Sequence, residues 1–300
     1  MRFKNILSLI ALGAMWGGSY LFIRLSIDVF HPVLIADLRL LIAALLIGLY
    51  LLLDRSTRSY LKIQAGDRVR LLIVGFFNSA LPFCLIAYAM QSLTVGLGSI
   101  LNATAPIWGS LVAYWALRDP LSIWRVLGLL LGVMGVFILV GGISLLDTAP
   151  HGWEILAMLV ATFSYGASAS YIQKYCADLP PLKMTFGSML LGGLLILPLA
   201  IYLAPNAHTW PTAYEPYWSV LGLGVISTAL AYVLYFRLIE DVGPAKAISS
   251  TFLIPVFGMI FGYFLLEESI DSQMLLGASI VLMGTGLSIG LIKPDRWLKP

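Results

Sequence analysis

Ten apolar runs, each about twenty residues long, dominate this sequence and limit what it can fold into. A helix needs about 20 mostly apolar residues to cross the hydrocarbon core of a bilayer. Hydrophobic residues make up 60% of the 300 positions and charged residues only 11%, whereas a water-soluble domain carries about 25% charged residues. The sequence therefore predicts an all-α integral membrane protein with ten transmembrane helices, at about residues 5–25, 33–53, 71–91, 96–117, 122–142, 153–174, 183–204, 218–237, 247–266 and 272–291.

The cationic residues lie almost entirely on one side of the predicted membrane. With the N-terminus placed in the cytoplasm, all of the 18 Lys and Arg residues except Arg24 and Arg39 fall at the cytoplasmic side. Arg24 lies near the outer end of the first helix, and Arg39 lies inside the second. Because Lys and Arg concentrate in cytoplasmic loops, we predict that both termini are cytoplasmic.

One stretch in the middle of the chain occurs a second time near its end. Ser99 to Leu117 and Ile248 to Leu266 share their layout, and Pro255 follows Pro106 after 149 residues. We interpret this as two units of five helices, residues 1–145 and 146–300. Because five is an odd number, the second unit enters the membrane from the opposite side, which makes the units inverted repeats. Other matches at the same spacing are Trp16 with Tyr165, Gly17 with Gly166, Ser19 with Ser168, Gly128 with Gly277, and Gly135 with Gly284.

The two prolines suggest broken helices with polar residues beside the breaks. Proline removes a backbone hydrogen bond and kinks a helix, and in a membrane the freed carbonyl must find another partner. Asn102 and Thr251 each lie four residues before a proline, on the same helix face. We predict that both pairs line a polar cavity between the two units. The alternative is a pair of plain packing kinks, since proline is common in membrane helices.

A second matched set combines aromatic and hydroxyl side chains. Trp16 and Ser19 in the first helix correspond to Tyr165 and Ser168 in the sixth. An aromatic ring beside a hydroxyl suits an amphipathic solute, although bulk packing is the alternative. Asn78 and Tyr232 are further polar groups in mid-span. They either contact a solute or bond to a neighbouring helix.

Two ionisable residues, Asp37 and Arg39, lie within the second helix, and such residues inside a membrane are functional candidates. Residues two apart on a helix do not face each other, so the two do not form a simple ion pair. Arg39 either extends to the interface or pairs with another helix. We assign both residues a possible role in coupling or gating. Because carboxylates within the spans are so sparse, facilitated flow or exchange is favoured over proton coupling.

Several classes of function find no support in the sequence. It has no phosphate-binding loop, no nucleophile with a His and acid, and no metal-ligand spacing, so we predict no enzyme activity, cofactor or metal. The small charge excess does not indicate a nucleic-acid partner. Close glycine spacings, such as Gly128 with Gly132, allow tight helix contact. We expect them to serve packing in a monomer, with dimerisation as the alternative.

The combined pattern resembles the EamA family of the drug/metabolite transporter superfamily. The resemblance covers nearly the whole chain. It rests on the ten helices in two units, on Trp16-Gly17, on the segment from Pro32 to Arg39, and on the run from Pro255 to Glu268. Leu117-Arg118-Asp119 departs from the family, because a Gly-Glu pair is usual there.

The resemblance implies a basket of ten helices that export amino acids or related metabolites by alternating access. The first, third, fourth, sixth, eighth and ninth helices would surround a cavity, and the fifth and tenth would pack behind it. Partners would be a small-molecule substrate and the lipid of the bacterial inner membrane. Alternatives are export of drugs, nucleosides or sugars, or a membrane scaffold that transports nothing. The expected pathway residues are Trp16, Ser19, Asn78, Asn102, Pro106, Tyr165, Tyr232, Thr251 and Pro255.

Overall fold

The computed structural model describes residues 2–119, 122–139, 141, 151–204 and 212–291, and these residues form helices with no strands. Within these described residues, eight helices have the length and hydropathy needed to cross a membrane, and two apolar helices are shorter. This confirms the predicted all-helical membrane protein. The eight long helices are α1 (Phe3–Ile27), α2 (Pro32–Leu53), α3 (Ala65–Ala89), α4 (Val95–Leu117), α6 (Gly152–Tyr175), α7 (Pro181–Tyr202), α8 (Glu215–Val242) and α9 (Ile248–Leu266), and the shorter ones are α5 (Ile123–Leu139) and α10 (Ser272–Ser288).

Two helices are longer than predicted, and for the same reason. Helix α3 begins at Ala65, not residue 71, and α8 extends over Glu215–Val242 where residues 218–237 were expected. In both helices the added turns carry charged residues, which a search for apolar runs excludes. The predicted boundary between residues 145 and 146 lies outside the described residues.

Helices α3 and α8 each contain one wide turn. A π-helical turn occupies Phe76–Ala80 in α3 and Val225–Leu230 in α8. The two turns begin 149 residues apart, the same spacing as the prolines. Such turns insert an extra residue into the helix and occur frequently at functional sites. The apolar pattern alone did not predict either of them.

The prolines of α4 and α9 do not interrupt a continuous helix. In α4 the first segment ends at Asn102, and a second segment begins at Ala105 with Pro106 in its first turn. In α9 a 3₁₀ turn over Ile248–Phe252 precedes a helix that begins at Leu253, and Pro255 lies in that helix's first turn. The first four N–H groups of a helix have no partner within it. Each proline therefore lies in the first turn of a helical segment, where its missing N–H removes no bond within that segment.

Helices α5 and α10 touch through their backbones. A Cβ atom at Gly128 would lie 2.5 Å from the carbonyl oxygen of Gly284, and one at Gly135 would lie 2.8 Å from the nitrogen of Val281. Glycine at these positions permits the close approach. The pair therefore forms a tight unit within the chain.

Two further close contacts join helices from different parts of the chain. A Cβ atom at Gly17 would lie 2.9 Å from the Ile254 carbonyl oxygen, where α1 crosses α9. One at Gly166 would lie 2.6 Å from the Gly109 nitrogen, where α6 crosses α4. Gly17 and Gly166 are separated by the spacing that separates the prolines. These crossings hold α9 beside α1 and α4 beside α6.

Candidate functional site

A cavity of about 430 Å³ lies in the middle of the bundle. Known small-molecule sites occupy roughly 300–1,000 Å³, so the space suits a small organic solute. Helices α2, α7 and α10 contribute to its wall together with the six helices that the family resemblance implied. The sequence candidates that line it are Trp16, Ser19, Arg39, Asn78, Asn102, Pro106, Tyr165, Tyr232 and Thr251.

The structure separates two candidates from this group. Pro255 is buried in the first turn of its helical segment and is not among the lining residues. Asp37 is 1% exposed, and its Oδ1 atom has no hydrogen-bond partner among the described residues. Asp37 also does not line the cavity.

Aromatic rings form much of the wall. Trp16 makes edge contacts with Tyr232 and Tyr235, with ring centroids 6.3 and 5.3 Å apart. Asn78 and Tyr232, two of the predicted polar residues, both lie on the cavity surface. Sequence reasoning left Tyr20, Tyr235 and Phe236 out of the site; a helical spacing of three or four from Trp16 and Tyr232 could have identified them.

Hydroxyl groups near the helix breaks bond mostly to nearby carbonyls. Ser19 donates to the Trp16 carbonyl at 2.6 Å, and Thr251 donates to the Ile248 carbonyl at 2.7 Å. Since each hydroxyl uses its proton, its oxygen remains an acceptor. The cavity therefore offers acceptors at these two positions.

A side chain of α10 supplies a hydrogen bond to the backbone at the break in α4. The Thr285 hydroxyl donates to the Ala103 carbonyl at 2.7 Å, and Ala103 lies between the two segments of α4. Thr285 also lines the cavity. The family resemblance implied that this helix packs behind the cavity, and Thr285 was not among the predicted residues. A carbonyl freed by a helix break needs a donor in a membrane, but the sequence does not say which helix supplies it.

Of the described residues that line the cavity, Arg39 is the one that carries a charge. It is 7% exposed. Its Nε atom donates to the Thr228 hydroxyl oxygen of α8 at 2.9 Å, and its guanidinium carbon lies 3.7 Å from the centre of the Phe83 ring. Of the two alternatives for Arg39, the structure shows contact with another helix. Arg39 has no ion pair among the described residues.

At one end of the bundle a hydrogen-bonded contact connects the end of α9 to the start of α4. Glu268 follows α9, and its Oε1 and Oε2 atoms accept hydrogen bonds from the Val95 and Gly96 nitrogens at 2.7 and 3.1 Å. Below this contact an apolar cluster that includes Tyr20, Ile86 and Val95 fills the space between helices. The lining residues extend from mid-span toward the opposite end, where α1 begins.

A charged network lies at that opposite end, between α3 and α7. Asp67 accepts from Lys183 and Arg70, both at 2.6 Å, and Arg70 also donates to Asp178 at 2.7 Å. This hydrogen bond from Arg70 holds the pKa of Asp178 below its usual range. Within the described ranges, no group of three His, Cys, Asp or Glu residues could hold a metal ion.

Comparison with known proteins identifies the family. The model of the EamA-like transporter family matches residues 3–141 and again residues 152–290. This chain belongs to the EamA-like transporter family. The EamA resemblance drawn from the sequence is thereby confirmed. An EamA-like chain with these apolar helices is a multi-pass protein of the cell membrane and a membrane transporter.

Curated relatives carry names of the same kind. The EamA-like chain is 25% identical to the uncharacterized transporter YoaV of Bacillus subtilis, over 94% of this chain and 95% of that protein. It is 23% identical to the uncharacterized inner membrane transporter YedA of Escherichia coli, over 100% and 95% of the two chains. A solved crystal structure matches with a TM-score of 0.67 and 16% identity over the full length of both chains. That last likeness shows the fold alone.

Proposed function

We propose that this protein is a secondary transporter of the bacterial inner membrane that exports amino acids or related small metabolites by alternating access. It would have ten transmembrane helices in two inverted units of five, with both termini in the cytoplasm. The two family matches, one on each side of residues 142–151, support the two units. The shorter helices α5 and α10 complete the count of ten, and the distribution of Lys and Arg supports the orientation.

The observation that carries this proposal is the central cavity, because both units contribute matched residues to its wall. Trp16 and Tyr165 line it, as do Asn102 and Thr251, and each pair has the spacing of the repeat. A site between two inverted units near the middle of the membrane is the arrangement that alternating access requires. In the proposed orientation the end at Glu268 faces outward and is closed, so this structure opens toward the cytoplasm.

The contacts between glycines support a monomer. Gly128, Gly135, Gly277 and Gly284 all pack within the chain, between α5 and α10. These surfaces are therefore occupied and do not serve a second copy. The lining of Trp16, Ser19, Tyr165 and Tyr232 suits a solute with an apolar body and a few polar groups.

Flux through purified protein in liposomes tests the proposal. A panel of labelled amino acids is offered with and without a pH gradient, and saturable uptake is expected. Asn102→Leu and Thr251→Leu are expected to reduce uptake at least about tenfold, because each puts an apolar side chain into the cavity. Leu45→Phe is the matched control, since Leu45 is 71% exposed on the outside of the bundle. Normal flux in folded Asn102 and Thr251 variants would remove the cavity from the transport pathway.

Cysteine labelling separates a transporter from a membrane scaffold. Asn102→Cys is made in a chain whose own cysteines, Cys84 and Cys176, are replaced by serine. Reagent applied from each side in turn should reach position 102 in the transporter. Labelling from one side alone, in protein that also moves no amino acid, drug, nucleoside or sugar, would favour the scaffold.

A further inference from the structure

We propose that Arg39 binds the anionic group of the transported solute, and that this group is a single carboxylate on a body with apolar surface. The inference deepens the proposed function, because it assumes that the cavity holds the solute. Nothing in the family match assigns a ligand to this residue.

The first step is the charge balance of the cavity. Arg39 is buried within the bundle, and no carboxylate pairs with it among the described residues. Asp37 is two residues away on the same helix and does not line the cavity. A buried charge without a counter-ion is costly, and within a membrane such residues almost always pair. A bound anion would supply the missing partner.

The second step is that, among the described residues, the guanidinium donates a hydrogen bond through Nε alone. Nε donates to the Thr228 oxygen, and the Thr228 hydroxyl in turn donates to the Leu223 carbonyl at 2.8 Å, across the π-helical turn of α8. The wide turn thus fixes Thr228 as an acceptor for Arg39. The Phe83 ring lies against the face of the guanidinium. Neither contact uses the two terminal nitrogens, which can form the paired hydrogen bonds that guanidinium makes to a carboxylate.

The third step concerns the rest of the wall. With one positive charge and no other charged side chain, the cavity balances a monovalent carboxylate better than a phosphate group, which carries about −1.5 to −2. Trp16, Tyr165 and Tyr232 offer aromatic surface for the remainder of the solute. The position in α7 that corresponds to Arg39 is Ser188, which also lines the cavity. One half alone therefore attracts an anion, so a bound carboxylate has one preferred orientation.

Equilibrium dialysis of the purified full-length protein tests the inference. The probes are labelled phenylalanine, phenylalaninamide and 3-phenylpropanoate, which keep one aromatic body and vary the charged group. Both carboxylates are expected to bind the natural sequence about ten- to a hundredfold more tightly than the amide, as expected for charge-assisted hydrogen bonds. Arg39→Gln is expected to abolish this preference. Arg39→Lys is expected to keep part of it, because the charge remains and the fork is lost.

Arg24→Gln is the matched control, because Arg24 already pairs with Asp28 at the end of α1, 3.0 Å away. It should leave the preference unchanged. If Arg39→Gln does not fold, Thr228→Val provides the second variant. That change removes the acceptor for Nε and should reduce the preference several-fold without removing the charge.

Three results would overturn the inference: an unchanged acid preference in folded Arg39→Gln, equal binding of acid and amide by the natural sequence, or no binding of any probe. If carboxylates bind in a manner that depends on Arg39 but liposomes accumulate none of them, the inference is supported and transport is rejected.

Discussion

The ends of α4 and α9 have the same backbone and different partners. Arg118 and Glu267 both adopt left-handed conformations with φ of 57°. The N–H of the next residue donates a hydrogen bond to the preceding helix. Asp119 donates to the Ala113 carbonyl, and Glu268 donates to the Gly262 carbonyl. Asp119 then pairs with Arg125 at 2.7 Å on the helix that follows. Glu268 instead crosses to the start of α4 and accepts two backbone hydrogen bonds.

This difference shows how one structural plan can serve two ends of a transporter. Local interactions determine the backbone conformation at a helix end, so the ends of α4 and α9 share it. The side chain of the acidic residue that follows determines which helix the end contacts. In this structure Glu268 connects the end of α9 to the start of α4, whereas Asp119 connects the end of α4 to α5.

Breaking the two acid contacts should produce unequal effects on stability. Glu268→Ala is expected to lower the free energy of unfolding by about 2–3 kcal/mol, because two buried N–H groups lose a charged acceptor. Asp119→Ala should cost about 0.5 kcal/mol or less, since the Asp119 side chain is 46% exposed and such pairs contribute little. Unfolding in mixed micelles, followed by circular dichroism, measures both.

Glu268→Gln is the control for this pair and should fall between the two, because a neutral amide oxygen still accepts one hydrogen bond. Equal costs for Glu268→Ala and Asp119→Ala would show that the carboxylate of Glu268 does not hold the end closed.

The glycine crossings allow a second comparison with a smaller expected effect. Gly166→Ala should lower the free energy of unfolding by about 1–2 kcal/mol, because the new methyl group would meet the backbone of α4. Gly109→Ala, on the other side of the same crossing, should be neutral, since its Cβ atom would have 3.8 Å to the nearest neighbour. The same micelle assay measures both variants, and a larger loss for Gly109→Ala would mean that the helices cross differently.

The smallest effect concerns the charged network between α3 and α7. Because Arg70 lowers the pKa of Asp178 in the folded state, the contact stabilises the fold above the unfolded pKa, which is about 3.9. That contribution disappears as the pH falls through the folded pKa. The natural sequence should therefore lose slightly more stability than Asp178→Asn when the pH is lowered from about 5 to about 3. If the free energy of unfolding changes equally with pH in the two proteins, the Arg70–Asp178 pair does not stabilise the fold.

The sequence was most informative where one residue could be compared with the residue 149 positions away. Trp16 with Tyr165 and Asn102 with Thr251 were selected in this way, and all four line the cavity. Spacing reports which helix face a residue occupies, and a matched polar residue in a membrane helix is difficult to explain by lipid contact. Whether these residues meet a solute stays a prediction.

The sequence was least informative where a contact joins distant parts of the chain. Arg39 and Thr228 are separated by 189 residues, and no periodic pattern links them. The π-helical turn that positions Thr228 leaves the apolar content of α8 unchanged, so composition does not reveal it. Thr285 was missed for a related reason, because a hydroxyl on a glycine-rich helix does not indicate which carbonyl it serves.

The contact between α5 and α10 gives the molecule an internal distance standard. Backbones that meet at Gly128 and Gly284 cannot slide or separate without losing this close packing. Spin labels placed on these two helices should therefore report one narrow distance under every condition of solute and pH. Labels on α4 and α9 can be read against that fixed separation, so that a change in their spacing measures helix movement and not a change in the label or the membrane.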